Sequence, residues 1–471
     1  MKKFISIPTI FVAALIINAC RVSKDVATPK SATPAAFRST ATTDSGASIA
    51  TIQWKDFFKD SSLQKLIDSA IIKNYDMQLA LKNIEQAHLI YKQSKLGNIP
   101  QVYAQVTANS NRYSDNSLSA LAPYPGITDP HIEDYNASIG ISWEADIWGK
   151  IRNRKNKALD AYLQTEEAEK AVQTYIVSNV AQGYYNLLML DEQLAIAKKN
   201  VLLNDSALRI INFQFNAGQA TYLAVQQTEA QNLAIQQLVP QFEQQIAIQE
   251  NALSILAGSL PDSIARNSTL ETTILSDKLS TGVPADMVSY RPDVKSYELA
   301  LKIANAQVGI TKAQMYPTLS ISASGGLNSY QINNWFNIPA SLFGIVAGSV
   351  IQPLFEQKQL KTQYKVAEVQ REKAVIQFRQ SVLNAVGEVS NALVTIDKLK
   401  AQQAIATNRT NTLQKAITNA DMLFRTGMAN YLEVITAQQS VLQSELDLAS
   451  IKRSQLNATV QLYSALGGGW R

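Results

Sequence analysis

Phe215-Asn216-Ala217-Gly218-Gln219-Ala220-Thr221-Tyr222-Leu223-Ala224-Val225 returns 209 residues later as Phe424-Arg425-Thr426-Gly427-Met428-Ala429-Asn430-Tyr431-Leu432-Glu433-Val434. The repeat extends upstream in the same register. Ile176, Val180, Gly183, Leu187 and Leu190 are matched by Ala385, Val389, Ala392, Ile396 and Leu399. These positions step by three or four, the period of one helix face. The 471-residue chain therefore reads as two similar halves, each built on a long helix, a glycine turn and a return helix.

Outward from the first turn, helical periodicity runs from about Ile151 to Phe215 and, past Gly218, from about Thr221 to Leu256. Pro240 lies inside the return helix, where its missing N–H predicts a kink. The second copy runs from Lys361 to Phe424, turns at Gly427 and returns from Tyr431 to Leu466. At ~1.5 Å per residue the longer helix of each pair reaches about 100 Å. Shorter helices precede each copy. One spans Leu63 to Leu96 and stops at Pro100. The other opens at Tyr290-Arg291-Pro292-Asp293, where Asp293 caps the helix, and closes at Pro317.

Between the short and long helices the period changes to two. Val102, Ala104, Val106 and Ala108 alternate with Gln101, Tyr103, Gln105 and Thr107. Ala137, Ile139, Ile141, Trp143, Ala145 and Ile147 alternate with Ser138, Gly140, Ser142, Glu144 and Asp146. Leu319, Ile321 and Ala323 alternate with serines and Thr318, and Leu342 to Leu354 is apolar on both faces in places. Such alternation predicts strands with one apolar and one polar face. Pro123, Pro125, Gly126 and Pro130 mark a long loop that takes up the extra residues of the first half.

The N-terminus begins with Lys2 and Lys3, continues through an apolar stretch from Phe4 to Ile17, and reaches Ile17-Asn18-Ala19-Cys20, which contains the only cysteine. This is a targeting segment. It resembles a bacterial lipobox, with acylation of Cys20; the bland alternative is an ordinary cleaved signal beside a stray cysteine. Residues 21–50, rich in Ala, Thr, Ser and Pro, read as an extended tether. The domain reading is a signal peptide over 1–19, a lipid-anchored linker over 20–50, a first repeat over 51–275 and a second over 276–471. The first repeat holds strands near 100–110 and 136–148 and a helical hairpin over 150–257. The second holds strands near 317–327 and 342–354 and a hairpin over 358–467.

Composition narrows the function. The net charge of +5 comes without a dense basic patch, so nucleic acid is not an expected partner. Two histidines, His88 in a helix and His131 in a loop, and one cysteine leave little for a metal site or a Cys–His catalyst, and no cofactor is implied. Four strands of membrane-spanning length cannot close a barrel alone, and open edges are not tolerated in lipid. Three chains would pool twelve strands, within the range of outer-membrane barrels. The narrow helical seams fit either the wall of a wide tube or a solid coiled-coil bundle; the strands favour the tube.

Several further features carry a resemblance. They are Trp54 with Phe57, Phe58, Asp60, Leu63 and Leu66; Asp146-Ile147-Trp148-Gly149; the two glycine turns; Tyr290-Arg291-Pro292-Asp293 with Ala304, Ala306 and Tyr316-Pro317; and the terminal Leu462-Tyr463-Ser464-Ala465-Leu466-Gly467-Gly468-Gly469-Trp470. In this order and spacing the sequence resembles the outer membrane efflux protein family, the TolC-like channels, and within it the lipoprotein branch that works with pumps of the resistance–nodulation–division (RND) class. Two departures stand out: Pro353-Leu354-Phe355-Glu356-Gln357-Lys358, where relatives usually carry a glycine-bearing turn, and Tyr75, where proline is common.

The resemblance implies an α+β membrane protein of duplicated helix–β-hairpin–long helical hairpin units. It implies a homotrimer whose 12-stranded outer-membrane barrel continues into a long α-helical periplasmic barrel. It implies a periplasmic adaptor and an inner-membrane pump as partners, outer-membrane lipid around the barrel, and no catalytic site. It puts Ala217-Gly218-Gln219 and Thr426-Gly427-Met428 at the adaptor-contacting tip, and Glu433 in a ring at the periplasmic aperture. Against the aperture role stand Ala224 as the first-half counterpart of Glu433 and Thr436 where relatives carry a second acid. Glu144 and Asp146 would face the lumen. Trp143 and Trp148 would be interfacial anchors or packing groups, and Asp421 and Arg425 an intrahelical pair. The expected function is passive exit of drugs or other toxic small molecules. The same duct serving type I protein secretion is the alternative, with a poreless lipid-anchored spacer the competing class.

Overall fold

The structure, a computed structural model, describes residues 49–112, 114, 116, 131–273 and 290–470. The targeting segment, Cys20, most of the tether and the proline-rich loop lie outside the described residues. In chain order come α1 (Trp54–Phe57), α2 (Ser61–Lys73), α3 (Tyr75–Lys95), β1 (Gln101–Arg112), β2 (His131–Glu144), α4 (Lys150–Asn216) and α5 (Tyr222–Leu256). There follow α6 (Pro292–Ala313), β3 (Thr318–Ser329), β4 (Leu342–Ile351), α7 (Gln359–Arg425) and α8 (Tyr431–Ala465). Both long helices have 67 residues and both return helices 35, so every boundary of one hairpin recurs at the sequence offset. Among the described residues, no helix is long and apolar enough to cross a membrane.

The chain divides into two compact units. One comprises Ala87–Tyr162 and Leu299–Val375 and contains the sheet, in which β1 to β4 pair antiparallel in chain order. The register places Val102 opposite Ile141, Ile141 opposite Ala323, and Ala323 opposite Val346. Val106, Ile139, Ile321, Leu342 and Val350 share that face, and these large apolar side chains stand largely exposed, Val106 at 71% and Val346 at 81%. The opposite face carries Gln105, Ser138, Ser142, Ser320, Ser322 and Ser324, joined on β4 by Phe343, Ile345 and Ile351, so that strand is apolar on both faces. An apolar sheet face this wide is not stable against water. His131, expected in a loop, opens β2 opposite Arg112.

The other unit, Pro29–Gln86, Leu163–Glu298 and Ile376–Arg471, holds the helical core. The repeated seam is where the periodicity puts it: Ile176, Val180, Leu187 and Leu190 are buried, as are Ala385, Val389, Ala392 and Ile396. Gly183 has a packing reason, because a Cβ there would lie 2.7 Å from Leu253 Cδ2 on α5. Phe57 stacks on Tyr463 with ring centroids 4.1 Å apart, and Tyr463 donates to the Ile52 carbonyl at 2.7 Å. Asp60 caps α2 by accepting from the Ser62 and Leu63 amides. It also accepts from the Tyr184 hydroxyl at 2.9 Å.

The single helix expected from Leu63 to Leu96 is instead two, α2 and α3, broken at Asn74. Apolar spacing stays in phase across the break, so periodicity does not reveal it. The side chain does: Asn74 accepts from the Asp76 and Met77 amides as an N-cap and donates to the Leu256 carbonyl at 2.8 Å. α5 continues through Pro240 without ending.

The Pro353–Lys358 departure has a conformational consequence. Gly149, just before α4, has φ +76°. Its counterpart at the start of α7 is Lys358, at φ +65°, preceded by Gln357 at φ +51°. Left-handed backbone costs a side-chain-bearing residue ~1 kcal/mol or more. Lys358→Gly should therefore stabilise the protein by about 0.5–1 kcal/mol, read as a raised thermal unfolding midpoint, whereas Gly149→Ala should lower it.

Asp293, expected to cap α6, lies inside its first turn, and Arg291, just before the helix, does more than precede it. The arginine is 7% exposed and donates to both Asp293 oxygens (3.0 and 2.7 Å), to Glu388 Oε2 (2.6 Å) and to the Ala465 carbonyl (2.9 Å). It thus ties the start of α6 to α7 and to the end of α8. Trp470 donates to the Tyr290 carbonyl at 3.3 Å and stands over Lys170. Burial alone would raise the Asp293 pKa, but the hydrogen bonds and charge of Arg291 outweigh it and hold the carboxyl below its ordinary value. A depressed folded-state pKa contributes stability above the unfolded value, lost as pH falls through the folded one. Arg291→Ala should cost about 2–4 kcal/mol. The stability gap between wild type and Asp293→Asn should be full at neutral pH and shrink below about pH 4, as followed by denaturant melts across pH.

Candidate functional site

Each long helix ends in the same Schellman motif. Gly218 (φ +74°) donates to the Phe215 carbonyl at 2.9 Å, and the Gln219 amide donates to Gln214 at 2.7 Å. In the second copy Gly427 (φ +78°) donates to Phe424 at 3.1 Å, and Met428 to Leu423 at 2.9 Å. Glycine is favoured here by backbone angle alone, since a Cβ on either residue would meet nothing within 4 Å. Ala217, Gly218, Gln219, Thr426, Gly427 and Met428 are all exposed.

The return helices start with matching caps. Thr221 Oγ1 accepts from the Ala224 amide at 3.3 Å, and Asn430 Oδ1 from the Glu433 amide at 3.1 Å. Asn430 Nδ2 lies 3.4 Å from Glu433 Oε1, so the Glu433 side chain folds back toward the residue that caps its own helix. An acid in the first turn is also favoured by the helix dipole. Glu433 is exposed, whereas its counterpart Ala224 is buried.

The two tips form one assembly. Ile211, Ala224 and Val225 are buried together, with Leu208, Ala220, Phe424 and Tyr431 packed on them. Tyr431 reaches from one hairpin to the other and donates to Gln227 Oε1 at 2.5 Å. Sequence reasoning did not single out this pair, although the repeat marks the position: Tyr431 matches Tyr222, which stays exposed beside Phe215. Asp421 and Arg425 make the expected i, i+4 ion pair at 2.9 Å, both solvent-exposed enough to contribute little. Above the tip lies a groove of about 390 Å³ lined by Leu203, Ile210, Ile417, Phe424, Val434 and Gln438, among others. Gln438 is buried, and its Oε1 has no hydrogen-bond partner.

In the sheet-bearing unit, the predicted strand ends earlier than the alternation suggests. Asp146 lies beyond β2, and its two carboxylate oxygens accept from the Ile151 and Arg152 amides, each at 2.8 Å. It caps α4 rather than continuing the strand. Glu144, the last residue of β2, pairs with Lys150 Nζ at 2.5 Å. Trp143 donates to the Asn98 carbonyl at 3.0 Å. Trp148 donates to Pro317 at 2.7 Å and stacks on Tyr316 with centroids 4.8 Å apart. Both indoles therefore serve packing where strands meet helices. Among the described residues no group of three or more His, Cys, Asp or Glu is arranged to hold a metal ion.

Comparison with known proteins agrees with this architecture. The family model described as "Outer membrane efflux protein" matches residues 66–259 and 283–468, one segment for each half. The solvent efflux pump outer membrane protein SrpC of Pseudomonas putida is 30% identical over 418 residues, covering 88% of this chain and 87% of that protein. The cation efflux system protein CusC of Escherichia coli O6:H1 is 27% identical over 470 residues, 98% of each chain. Among solved structures, the open-state MtrE outer membrane channel of Neisseria gonorrhoeae superposes with a TM-score of 0.84 at 22% identity, over 95% of this chain and 98% of that one. The fold is that of an outer-membrane channel, and the chain belongs to the outer membrane efflux protein family.

Proposed function

We propose that this protein is the outer-membrane exit channel of a tripartite efflux system, taking small toxic molecules from an inner-membrane pump of the RND class and a periplasmic adaptor and passing them outward without chemical change. The observation that carries the reading is the sheet: four antiparallel strands with one exposed apolar face, an opposite face that is polar over β1 to β3, and two edges. In lipid those edges need partners, and copies of the same chain supply them. Three copies make a closed barrel of twelve strands, in the size range of outer-membrane proteins. The apolar face then meets acyl chains and the polar face lines a lumen, with Glu144 at its end and Asp146 just past it. The two repeats, 51–275 and 276–471, supply two strands each. Solvents and cations are the substrates in the names of the relatives SrpC and CusC, and either class fits a passive duct. Acylation of Cys20 after removal of residues 1–19 would hold the chain to the membrane alongside the barrel. The chain acts as a conduit rather than an enzyme.

In this reading the tip residues Ala217-Gly218-Gln219 and Thr426-Gly427-Met428 touch the adaptor, and three Glu433 carboxylates ring the aperture, drawing cations. No Cβ clash arises at either glycine, and the left-handed angle costs a side-chain-bearing residue only ~1 kcal/mol or somewhat more per site, so Gly218→Trp with Gly427→Trp should leave a folded though less stable trimer while abolishing its complex with the adaptor, as read by crosslinking and by heat-resistant trimer on gels. In planar bilayers Glu433→Gln should lower the cation preference of the current; an unchanged preference would remove Glu433 from the aperture. In the native host, deletion of the gene should raise accumulation of a fluorescent dye, and restoration should reverse it. Unchanged accumulation together with lost protein secretion would overturn the efflux reading.

A further inference from the structure

The β3–β4 connection is unlike a water-facing loop. From Ala313 to Phe355 the sequence contains no Asp, Glu, Lys, Arg or His. The first hairpin, by contrast, carries Arg112, His131, Glu133 and Asp134 at the same end of its strands. Within the uncharged stretch, residues 330–341 fold compactly. Ile332–Asn334 forms a 3-10 turn. At the two feet of the loop Ser329 and Ser341 are buried, with hydroxyls donating to Gln331 and Asn334 carbonyls at 2.8 and 2.6 Å.

The loop also folds toward one side of the sheet. Trp335 packs on Tyr135 with centroids 5.6 Å apart and donates its indole N–H to the Leu327 carbonyl at 3.3 Å. The antiparallel register puts Tyr135 and Leu327 on the apolar face with Ile139 and Val346. Having reached that side, the loop leaves Tyr330, Ile332, Phe336 and Ile338 exposed, Phe336 at 70%. A loop in water would hide such groups or do without them. On this second hairpin the apolar face of the sheet thus runs on past the strand ends, whereas on the first the same face ends at Glu133, which accepts from the Tyr135 hydroxyl, and His131.

We propose that the β3–β4 loop is immersed in the outer leaflet, with Phe336 and Ile338 among lipid acyl chains and Tyr330 nearer the headgroups, so that each copy grips the bilayer through this second hairpin only. The proposal rests on the reading that the sheet is membrane-embedded. Its partner is lipid, recognised by apolar area and the absence of charge.

The test uses full-length protein in a Cys20→Ser background, reconstituted in phospholipid bilayers, with single nitroxide labels at Phe336→Cys, Ile338→Cys, Val346→Cys and Gln105→Cys. Collisions with oxygen report lipid, and collisions with a water-soluble nickel chelate report water. The expected result is oxygen-favoured labels at 336 and 338, matching 346, and a chelate-favoured label at 105. Chelate-favoured loop labels with an oxygen-favoured label at 346 would overturn the loop proposal alone. Loop labels shielded from both reagents would also overturn it, pointing to burial against another copy. A chelate-favoured label at 346 would overturn the membrane reading itself. Should a cysteine variant fail to form trimer, Phe336→Trp provides a conservative second route. Its added fluorescence should be quenched several-fold more by brominated acyl chains than by aqueous iodide, and the reverse order would overturn the proposal.

Discussion

An amide N–H in hydrocarbon has no water to bond, so a strand that enters lipid must find another strand on each side. Nearly everything in this chain follows from that demand. One copy offers four strands and two edges, which is too few to curl into a barrel. In the proposed channel other copies make up the deficit, and a symmetric ring of copies would set what the helices can be. They are long, and they differ in how much they bury. Between Ile176 and Leu190 the first long helix buries Val177, Ala181, Tyr184, Tyr185 and Leu188 besides the repeated stripe, a wider face than the periodicity suggests, while the second keeps the narrow stripe of Phe378, Val382, Ala385, Val389, Ala392 and Ile396.

The parts of this arrangement visible in the sequence are those written in periods. The duplication, the seam, the strand alternation and the glycine turns depend on spacing alone, and the observed boundaries of α4, α5, α7 and α8 follow them within a residue or two. What spacing cannot carry is the choice a single polar side chain makes among partners. Asn74 breaks a helix whose apolar phase never falters, because its side chain finds two amides and a distant carbonyl. Asp146 continues an alternating pattern and yet belongs to the next helix. The Arg291 clamp joins residues from three separated helices, and no local rule foretells Glu388 or the Ala465 carbonyl as its partners.

The tip shows the same limit within the candidate site. Both turns were legible down to the residue in the left-handed conformation. The cross-hairpin bond from Tyr431 to Gln227 was not, since it requires knowing that the two copies meet. Duplication also hides divergence. Copies that share backbone geometry have parted in chemistry, with Ala224 buried where Glu433 is exposed, and Lys358 bent into a conformation that its counterpart Gly149 adopts at little cost.

The equal lengths of the hairpins act as a shared ruler. Both long helices count 67 residues before their turns, and the turns meet in one hydrophobic cluster. Insertion or loss of two helical turns in one copy alone would shift its tip by about 10 Å along the axis, tearing Phe424 and Tyr431 away from Ile211 and Ala224. Length changes in this wall can therefore be inherited only in matched pairs, so the two halves are bound to a common history of insertion and deletion even where their side chains have gone separate ways.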